Sequence, residues 1–270
     1  MLAALQDQLT RRPGSPFFAD LNRRAPPSRR YMIATTARSG STFLCARISE
    51  YARLGFPMEF LNESYVAQFD ALFPSPSLSD FEAFVVGSFT SKQGVFGLKT
   101  DWWRFQQARE LQAMQALVRP LDLIVKLYRE DFVAQAVSLA LAVATQVWHS
   151  RDASLAPLEA LHEAVPFDAE AIKEHAANIL NQEYLWREYI ETAGAPCLAL
   201  SYETVSRDVD GAVAQIAAAL GARLGPVPPS ANVISRQQTR VSRLWVERFN
   251  SECGDYVSYW RDHRGRVTAA

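Results

Sequence analysis

The sequence predicts an α/β fold with a single domain, in which a central parallel sheet is flanked by helices. Short apolar runs near residues 31–35, 94–99, 121–128 and 196–201 alternate with longer segments of helical periodicity. This alternation is typical of a parallel sheet with helices on both faces. The run from Leu121 to Tyr128 is mostly apolar, as expected of a central strand that is buried on both sides. A length of 270 residues, with 49% hydrophobic and 21% charged residues, suits one large globular domain.

Helical periodicity fills the intervals between these runs. The predicted helices cover residues 43–51, a segment that opens at Ser79 with Glu82 at capping-box spacing, and residues 103–118, 131–148, 168–192 and 208–220. Gly55 and Gly194 follow two of these helices, and a glycine in that place commonly ends a helix. We assign residues 31–266 to the folded domain, and residues 1–30, with six Arg against two Asp, to a basic N-terminal arm.

Composition argues against several classes of function. A net charge of −1 gives no basis for a nucleic-acid partner. The three cysteines, Cys45, Cys197 and Cys253, lack the spacing of metal ligands and suit a reducing compartment. The N-terminus lacks the pattern of a signal peptide, and the most apolar segment, residues 132–148, is shorter and more polar than the ~20 apolar residues that span a bilayer. We therefore expect a cytoplasmic protein with no metal ion and no stable membrane insertion, and we leave open whether it forms a homodimer.

The first apolar run leads into a turn that is rich in hydrogen-bond donors. The run ends at Thr35 and is followed by Arg38-Ser-Gly-Ser-Thr42, after which helical periodicity begins. Such a turn directs backbone N–H groups and the positive end of a helix dipole at one point, which makes an anion site. Its arginine adds a planar fork that can bind an oxyanion with two hydrogen bonds. The P-loop of nucleoside-triphosphate enzymes is excluded, because Gly-x-x-x-x-Gly-Lys-[Ser/Thr] is absent.

A second candidate anion site lies at the end of the strand predicted for residues 121–128. Arg129 follows this strand at its carboxyl end, where open α/β sheets bind their ligands. Ser138 lies on the next helix, in a stripe of small and polar residues that also contains Gln135 and Thr145. Arg129 and Ser138 are therefore candidates to bind a second phosphate. The alternative, in which Ser138 is only packed and Arg129 pairs with a surface carboxylate, stays open here.

Four blocks of sequence, in order along the chain, resemble the bacterial trehalose 2-sulfotransferase family. They are Arg38-Ser-Gly-Ser-Thr42, Gly55-Phe-Pro-Met-Glu-Phe60, residues 129–138 with Thr145-Gln-Val-Trp148, and Arg236-Gln-Gln238 with Trp245-Val-Glu-Arg-Phe249. The resemblance runs from about Tyr31 to Phe249. That family in turn resembles the sulfotransferases that act on lipopolysaccharide and on nodulation factors.

The resemblance implies in-line transfer of a sulfuryl group from 3′-phosphoadenosine 5′-phosphosulfate (PAPS) to a hydroxyl group of a carbohydrate or glycolipid, with no metal ion. It implies that the donor is bound by Arg38, Ser39, Gly40, Ser41, Thr42, Arg129, Ser138 and Arg236. Glu59 is implied as the general base, and Arg38 and Lys99 as groups that assist catalysis. Phe56, Glu59, Asp101 and Trp102 are the candidate residues for binding the acceptor.

The identity of the acceptor stays open at this point. Phe56 and Met58 make the loop around Glu59 more apolar than expected of an enzyme that uses trehalose, which leaves room for a glycolipid or a lipopolysaccharide sugar.

Two other functions compete with sulfuryl transfer. One is a nucleotide-dependent kinase of the P-loop type, which the missing P-loop lysine argues against. The other is a non-catalytic nucleotide-binding regulator, which the presence of both Glu59 and Lys99 argues against.

Overall fold

The protein is built on a sheet of four parallel strands in the order β2-β1-β3-β4. The computed structural model describes residues 26–63, 65, 67, 78–110, 115–118, 120–148, 158–229 and 238–268. The strands are β1 (Arg29–Thr35), β2 (Val95–Thr100), β3 (Leu123–Tyr128) and β4 (Cys197–Ser201). This architecture confirms the predicted α/β fold class, and each strand begins within two residues of its predicted start.

Helices connect the strands and cover both faces of the sheet. In chain order they are α1 (Ser41–Tyr51), α2 (Leu78–Phe89), α3 (Trp102–Glu110), α4 (Gln115–Val118), α5 (Phe132–Thr145), α6 (Leu158–Glu163), α7 (Ala169–Thr192), α8 (Tyr202–Arg207), α9 (Val209–Ala219), α10 (Arg240–Glu252) and α11 (Gly254–Thr268). Asp131, Asp168 and Asp208 cap the N-termini of α5, α7 and α9 through their side chains, which satisfies N–H groups that a helix leaves without partners.

The alternation of side chains along β1 divides the core between the two faces of the sheet. Met32 and Ala34 pack on one face with residues of α2, α3, α4 and α7. Tyr31 and Ile33 pack on the other face with residues of α1 and α9. A third buried cluster lies between α5, α7, α10 and α11. Because all four strands are parallel, their carboxyl ends lie at the same edge of the sheet. Helices α1, α3, α5 and α8 begin at this edge.

Three predicted helix boundaries differ from the structure. The helix predicted for residues 131–148 ends at Thr145, because Gln146 has a left-handed conformation. The helix predicted for residues 103–118 appears as α3 and α4, with residues 111–114 outside the described part of the chain. The capping box predicted for Ser79 and Glu82 is wrong, because α2 already begins at Leu78. Glu82 instead accepts a hydrogen bond from the Leu117 N–H at 3.2 Å, so its carboxylate joins α2 to α4.

The arm predicted for residues 1–30 lies largely outside the described residues, which begin at Pro26. Arg29 and Arg30 form the start of β1, and Arg30 N–H donates to Asp122 at 2.7 Å. Among the helices that the structure describes, none is both long enough and apolar enough to cross a membrane.

A close contact between β1 and β2 gives the first testable prediction. Tyr31 is fully buried and faces Gly97 in the register of the two strands, and a Cβ atom on Gly97 would lie 2.3 Å from Cζ of the tyrosine. We expect Gly97→Ala to lower the free energy of unfolding by ~1–3 kcal/mol, because the added methyl forces the ring or the strand to move. Urea denaturation measures the change.

Gly254→Ala is the matched control, because a Cβ atom at this first position of α11 meets no atom within 4 Å. Equal stabilities for the two variants would contradict the steric role of Gly97.

Candidate active site

The turn between β1 and α1 has the backbone geometry of an anion-binding loop. Arg38 has a φ of 62° and Gly40 a φ of 80°, so the chain passes twice through the left-handed region before α1 begins at Ser41. A non-glycine residue such as Arg38 in this region is uncommon and is found preferentially at functional sites. Gly40 is the N-cap of α1 and carries no side chain that could cap the N–H groups of the first turn. These donors are thus suited to bind an anion.

Buried hydrogen bonds from α5 and α7 hold this turn in place. Gln135, fully buried on α5, donates from Nε2 to Thr36 Oγ1 at 2.8 Å and to the Ala37 carbonyl at 2.7 Å. Trp186 Nε1 donates to the Thr35 carbonyl at 3.1 Å. Gln135 thus anchors the turn, a role that its place in a small-residue stripe did not reveal. A loop fixed in this way is preorganised, so it loses little entropy when it binds a ligand.

The side chains of this turn that were predicted to bind PAPS do not all point toward the same site. The Ser39 hydroxyl is buried and hydrogen-bonds the Thr35 hydroxyl, so its side chain stabilises the turn and only its backbone remains to bind a ligand. Ser41 and Thr42 occupy the first two positions of α1.

The loop after α1 places Glu59 beside the end of β2. Gly55 has a φ of 80°, and a Cβ atom there would lie 2.7 Å from the Val95 carbonyl oxygen, so glycine is required where the loop meets the strand. Further along, the Met58 carbonyl accepts a hydrogen bond from the Lys99 N–H at 3.0 Å. The loop therefore runs alongside β2 and delivers Glu59 to the carboxyl edge of the sheet.

Lys99 links Glu59 to the anion loop. Its buried Nζ atom lies 2.7 Å from Glu59 Oε1 and donates to Thr42 Oγ1 at 3.1 Å. Asn62 Nδ2 donates to the other oxygen of Glu59, Oε2, at 3.0 Å. The structure thus brings together a carboxylate, an ammonium group and the first turn of α1. These three groups come from separate segments of the chain.

The charges of this cluster depend on one another. Burial would raise the pKa of Glu59, but the neighbouring Lys99 ammonium and the hydrogen bonds from Lys99 and Asn62 outweigh it and lower this pKa to about 2. Burial in turn would lower the pKa of Lys99, but the Glu59 carboxylate raises it above its ordinary value. Both groups are therefore ionised near neutral pH.

Two arginines and Ser138 form a second cluster at the same edge of the sheet. Arg38 Nε donates to Ser138 Oγ at 3.0 Å, and Arg38 Nη1 donates to the Trp148 carbonyl at 2.6 Å. Burial, followed by the charge of Arg129, lowers the pKa of the Arg38 guanidinium below its ordinary value. Arg129 carries a buried Nε–H with no hydrogen-bond partner among the described residues. Two guanidinium groups that repel each other, one with an unused donor, favour the binding of an anion.

Tyr202 joins the two clusters and was missed from the sequence. The Arg129 guanidinium lies 4.9 Å from the centre of the Tyr202 ring, a cation–π contact. The same ring packs on Gly40 so closely that a Cβ atom there would lie 2.4 Å from Tyr202 Cδ2. The available signal was its position directly after β4, since the residue after each parallel strand lies at the ligand-binding edge.

Asp101 and Trp102, which were predicted to bind the acceptor, are engaged in contacts within the protein. Asp101 Oδ1 accepts from the Arg104 N–H at 3.1 Å at the start of α3, and its carboxylate also pairs with the Arg104 side chain. Trp102 packs among Trp186, Phe105 and Tyr189, with ring centres 5.1, 5.8 and 6.2 Å away, so it lies in the core and not at the surface where an acceptor sugar could stack.

Phe56 is half-buried and packs against the core beneath α2 and β2. Met58 packs against the same cluster, so core packing accounts for much of the apolar character of this loop. Arg236 lies outside the described residues.

The chain is similar to known proteins over most of its length. Residues 30–252 match the family model described as Stf0 sulphotransferase. A trehalose 2-sulfotransferase of Mycobacterium tuberculosis is 27% identical over 83% of this chain and 95% of its own length. A trehalose 2-sulfotransferase of Mycolicibacterium smegmatis is 25% identical over 82% of this chain and 94% of its own length. Among solved structures, a retinol dehydratase in a complex with retinol and PAP aligns with a TM-score of 0.40 and 13% identity, over 95% of this chain and 87% of its own.

The pair of Glu59 and Lys99 predicts a dependence of stability on acid pH. Because the pKa of Glu59 is lowered from 4.5 to about 2 by folding, the stability that its ionised form contributes is complete above pH 4.5 and is lost as the pH falls through about 2. We expect Glu59→Gln to lower the free energy of unfolding above pH 4.5, and the difference from wild type to shrink below that pH. Urea denaturation at a series of pH values measures it.

Glu247→Gln makes the same chemical change at an exposed position of α10 and should leave the pH profile unaltered. A difference between Glu59→Gln and wild type that stays constant with pH would rule out the ion pair as its cause.

Proposed function

This chain belongs to the Stf0 sulphotransferase family, and we propose that it transfers a sulfuryl group from PAPS to a hydroxyl group of a carbohydrate. Membership of the family argues against a kinase and against a non-catalytic regulator. The observation that carries the proposed mechanism is the contact of Lys99 with both Thr42 and Glu59. It joins the anion-binding turn, where the donor would present its phosphosulfate, to the carboxylate that would receive a proton.

The two clusters fit the two charged ends of PAPS. The turn from Arg38 to Thr42 offers the N-terminus of α1 and the Arg38 guanidinium to the 5′-phosphosulfate. Arg129, with its unused Nε–H, and Ser138 would bind the 3′-phosphate. Arg38 Nε donates to the Ser138 hydroxyl, so donor binding would redistribute this hydrogen bond.

Glu59 is proposed as the general base. It would take the proton of the acceptor hydroxyl while the hydroxyl oxygen forms its bond to sulfur and the bond between sulfur and the bridging phosphate oxygen breaks. The electron pair of the broken bond stays on the phosphate, where Lys99, Arg38 and the N-terminus of α1 would stabilise the developing charge. As in phosphoryl transfer, positioning and charge stabilisation supply most of the catalysis.

Lys99 would also set the strength of the base. With the ammonium group 2.7 Å away, the pKa of Glu59 is about 2, which makes it a weak base. Because Lys99 also contacts Thr42, an anionic group bound at the turn would attract the same ammonium. A shift of Nζ toward that group weakens its hold on Glu59 and raises the pKa of the carboxylate at the moment when a base is needed.

Trehalose is the proposed acceptor, since both mycobacterial relatives are trehalose 2-sulfotransferases. The apolar loop that favoured a glycolipid loses weight as an argument, because Phe56 and Met58 pack against the core. Incubation of the protein with sulfate-labelled PAPS and trehalose, with other disaccharides and a lipopolysaccharide preparation in parallel, tests this choice. Transfer to one of the other acceptors but not to trehalose would refute trehalose as the acceptor and would still support sulfuryl transfer as the reaction.

Replacement of the base separates binding from chemistry. Glu59→Gln keeps the shape of the side chain but cannot accept the proton, so adenosine 3′,5′-bisphosphate should bind at least as tightly as to wild type while the rate of transfer falls by ~10²–10⁴-fold. Calorimetry and single-turnover sulfate transfer measure the two properties. Glu63→Gln, at an exposed position four residues later, is the control and should keep both. A Glu59→Gln variant with a nearly normal rate would show that another group is the base.

Removal of Arg129 should act on one phosphate only. We expect Arg129→Ala to weaken adenosine 3′,5′-bisphosphate by ~1.5–3 kcal/mol, the loss typical of a charged hydrogen-bond partner, and to leave adenosine 5′-monophosphate almost unaffected. Calorimetric titration of both ligands measures this. The matched control is Arg207→Ala, an exposed arginine of α8. Equal losses for the two ligands would exclude Arg129 as the 3′-phosphate anchor.

A further inference from the structure

The backbone that carries Arg129 lies just beyond the hydrogen-bonded part of the sheet. The last residue of β3 that pairs with β4 is Tyr128, opposite Ser201. The carbonyl groups of Arg129 and Glu130 therefore have no strand partner and need hydrogen-bond donors from another element. The direction in which the Arg129 side chain leaves the backbone depends on how these two peptide groups are fixed.

Arg264, on the C-terminal helix α11, supplies the missing donors. Its Nη1 donates to the Glu130 carbonyl at 2.6 Å, and its Nη2 donates to the Arg129 carbonyl. Only 7% of Arg264 is exposed. Both Nη atoms of its guanidinium group thus contact the turn that follows β3.

Glu183 of α7 holds this guanidinium in place. Arg264 Nε and Nη2 donate to the two oxygens of its carboxylate at 2.9 and 2.7 Å, a bidentate pair that excludes most water because Glu183 is only 3% exposed. Truncation of either partner would leave a buried charge, which makes the geometry of the pair strict.

The N–H groups of the same turn are fixed from the opposite side. Glu203 of α8 accepts from the Glu130 N–H at 3.0 Å and from the Asp131 N–H at 3.5 Å. The peptide groups around Arg129 are therefore bound to an arginine through their carbonyls and to a glutamate through their N–H groups.

We propose that Arg264 is a positioning residue for Arg129, through which α11 sets the preference of the enzyme for a donor with a 3′-phosphate. This inference rests on the proposed role of Arg129 in binding that phosphate. The match to the family ends at residue 252, before α11 begins at Gly254, so family membership says nothing about Arg264. One of the two carbonyl contacts lies on the peptide unit between Arg129 and Glu130, and the other lies on the next peptide unit. Loss of these contacts would free the backbone from which the Arg129 side chain extends.

The test compares two ligands that differ only in the 3′-phosphate, adenosine 3′,5′-bisphosphate and adenosine 5′-monophosphate. The ratio of their dissociation constants is measured by calorimetry for wild type, Arg129→Ala and Arg264→Lys. Lysine keeps a positive charge beside Glu183 but cannot reach both carbonyls as well, so Arg264→Lys should stay folded. We expect it to lower the preference for the bisphosphate by roughly tenfold or more, the loss typical of a weakened charged hydrogen bond, with the affinity for the monophosphate unchanged.

Two further variants make the outcome specific. Arg261→Ala removes an exposed arginine from the preceding turn of α11 and should keep the wild-type ratio. In the double variant Arg129→Ala/Arg264→Lys, the second change should have no further effect on the ratio, because Arg264 acts through Arg129.

The possible failures are distinguishable. If Arg129→Ala leaves the ratio unchanged, the proposed 3′-phosphate site is wrong. If Arg129→Ala lowers the ratio but Arg264→Lys does not, only the inference about Arg264 is overturned. Equal losses for both ligands in Arg264→Lys, or an unfolded Arg264→Lys protein, would also overturn it, because the pair would then serve only to fasten α11.

Discussion

A positive charge buried at the end of β2 determines the construction of the candidate site. Lys99 lies in a strand whose residues are all buried, and an ammonium group in such a place must have an anionic partner. Glu59 meets this requirement only because the preceding loop runs along β2 and hydrogen-bonds it through Met58. The course of that loop depends on the left-handed glycine at position 55. One electrostatic requirement thus connects the strand, the loop and the first turn of α1.

The general form of the fold could be read from the sequence because local signals decide it. Apolar runs marked all four strands, and the helices predicted to start at residues 131, 168 and 208 begin one residue later, with these three aspartates as side-chain caps. The anion turn was visible for the same reason, since glycine and small polar residues after a strand dictate its conformation. The capping box at Ser79 failed because the spacing of two side chains does not say which residue begins the helix.

Contacts between distant parts of the chain could not be predicted in this way. Trp102 followed a strand and was a reasonable sugar-binding candidate, yet its ring is enclosed by residues of α7, more than eighty positions later. Ser39 stood in the middle of the anion motif, but its hydroxyl turns inward to Thr35. Tyr202 and Arg264 had no motif of their own, since their significance comes from what they touch. The sequence predicted which segments meet at the sheet edge, and the side-chain directions decided which residues could act there.

The packing of Tyr202 on Gly40 has a consequence for how this protein can diverge. The ring fills the space that a side chain at position 40 would need, and it also carries the Arg129 guanidinium on its face. A relative that gains a side chain at position 40 must therefore have a smaller residue at position 202. The arginine at position 129 then loses its cation–π contact. We expect homologous sequences to change these three positions together or not at all, so that glycine, tyrosine and arginine are inherited as one unit although some ninety and seventy residues separate them along the chain.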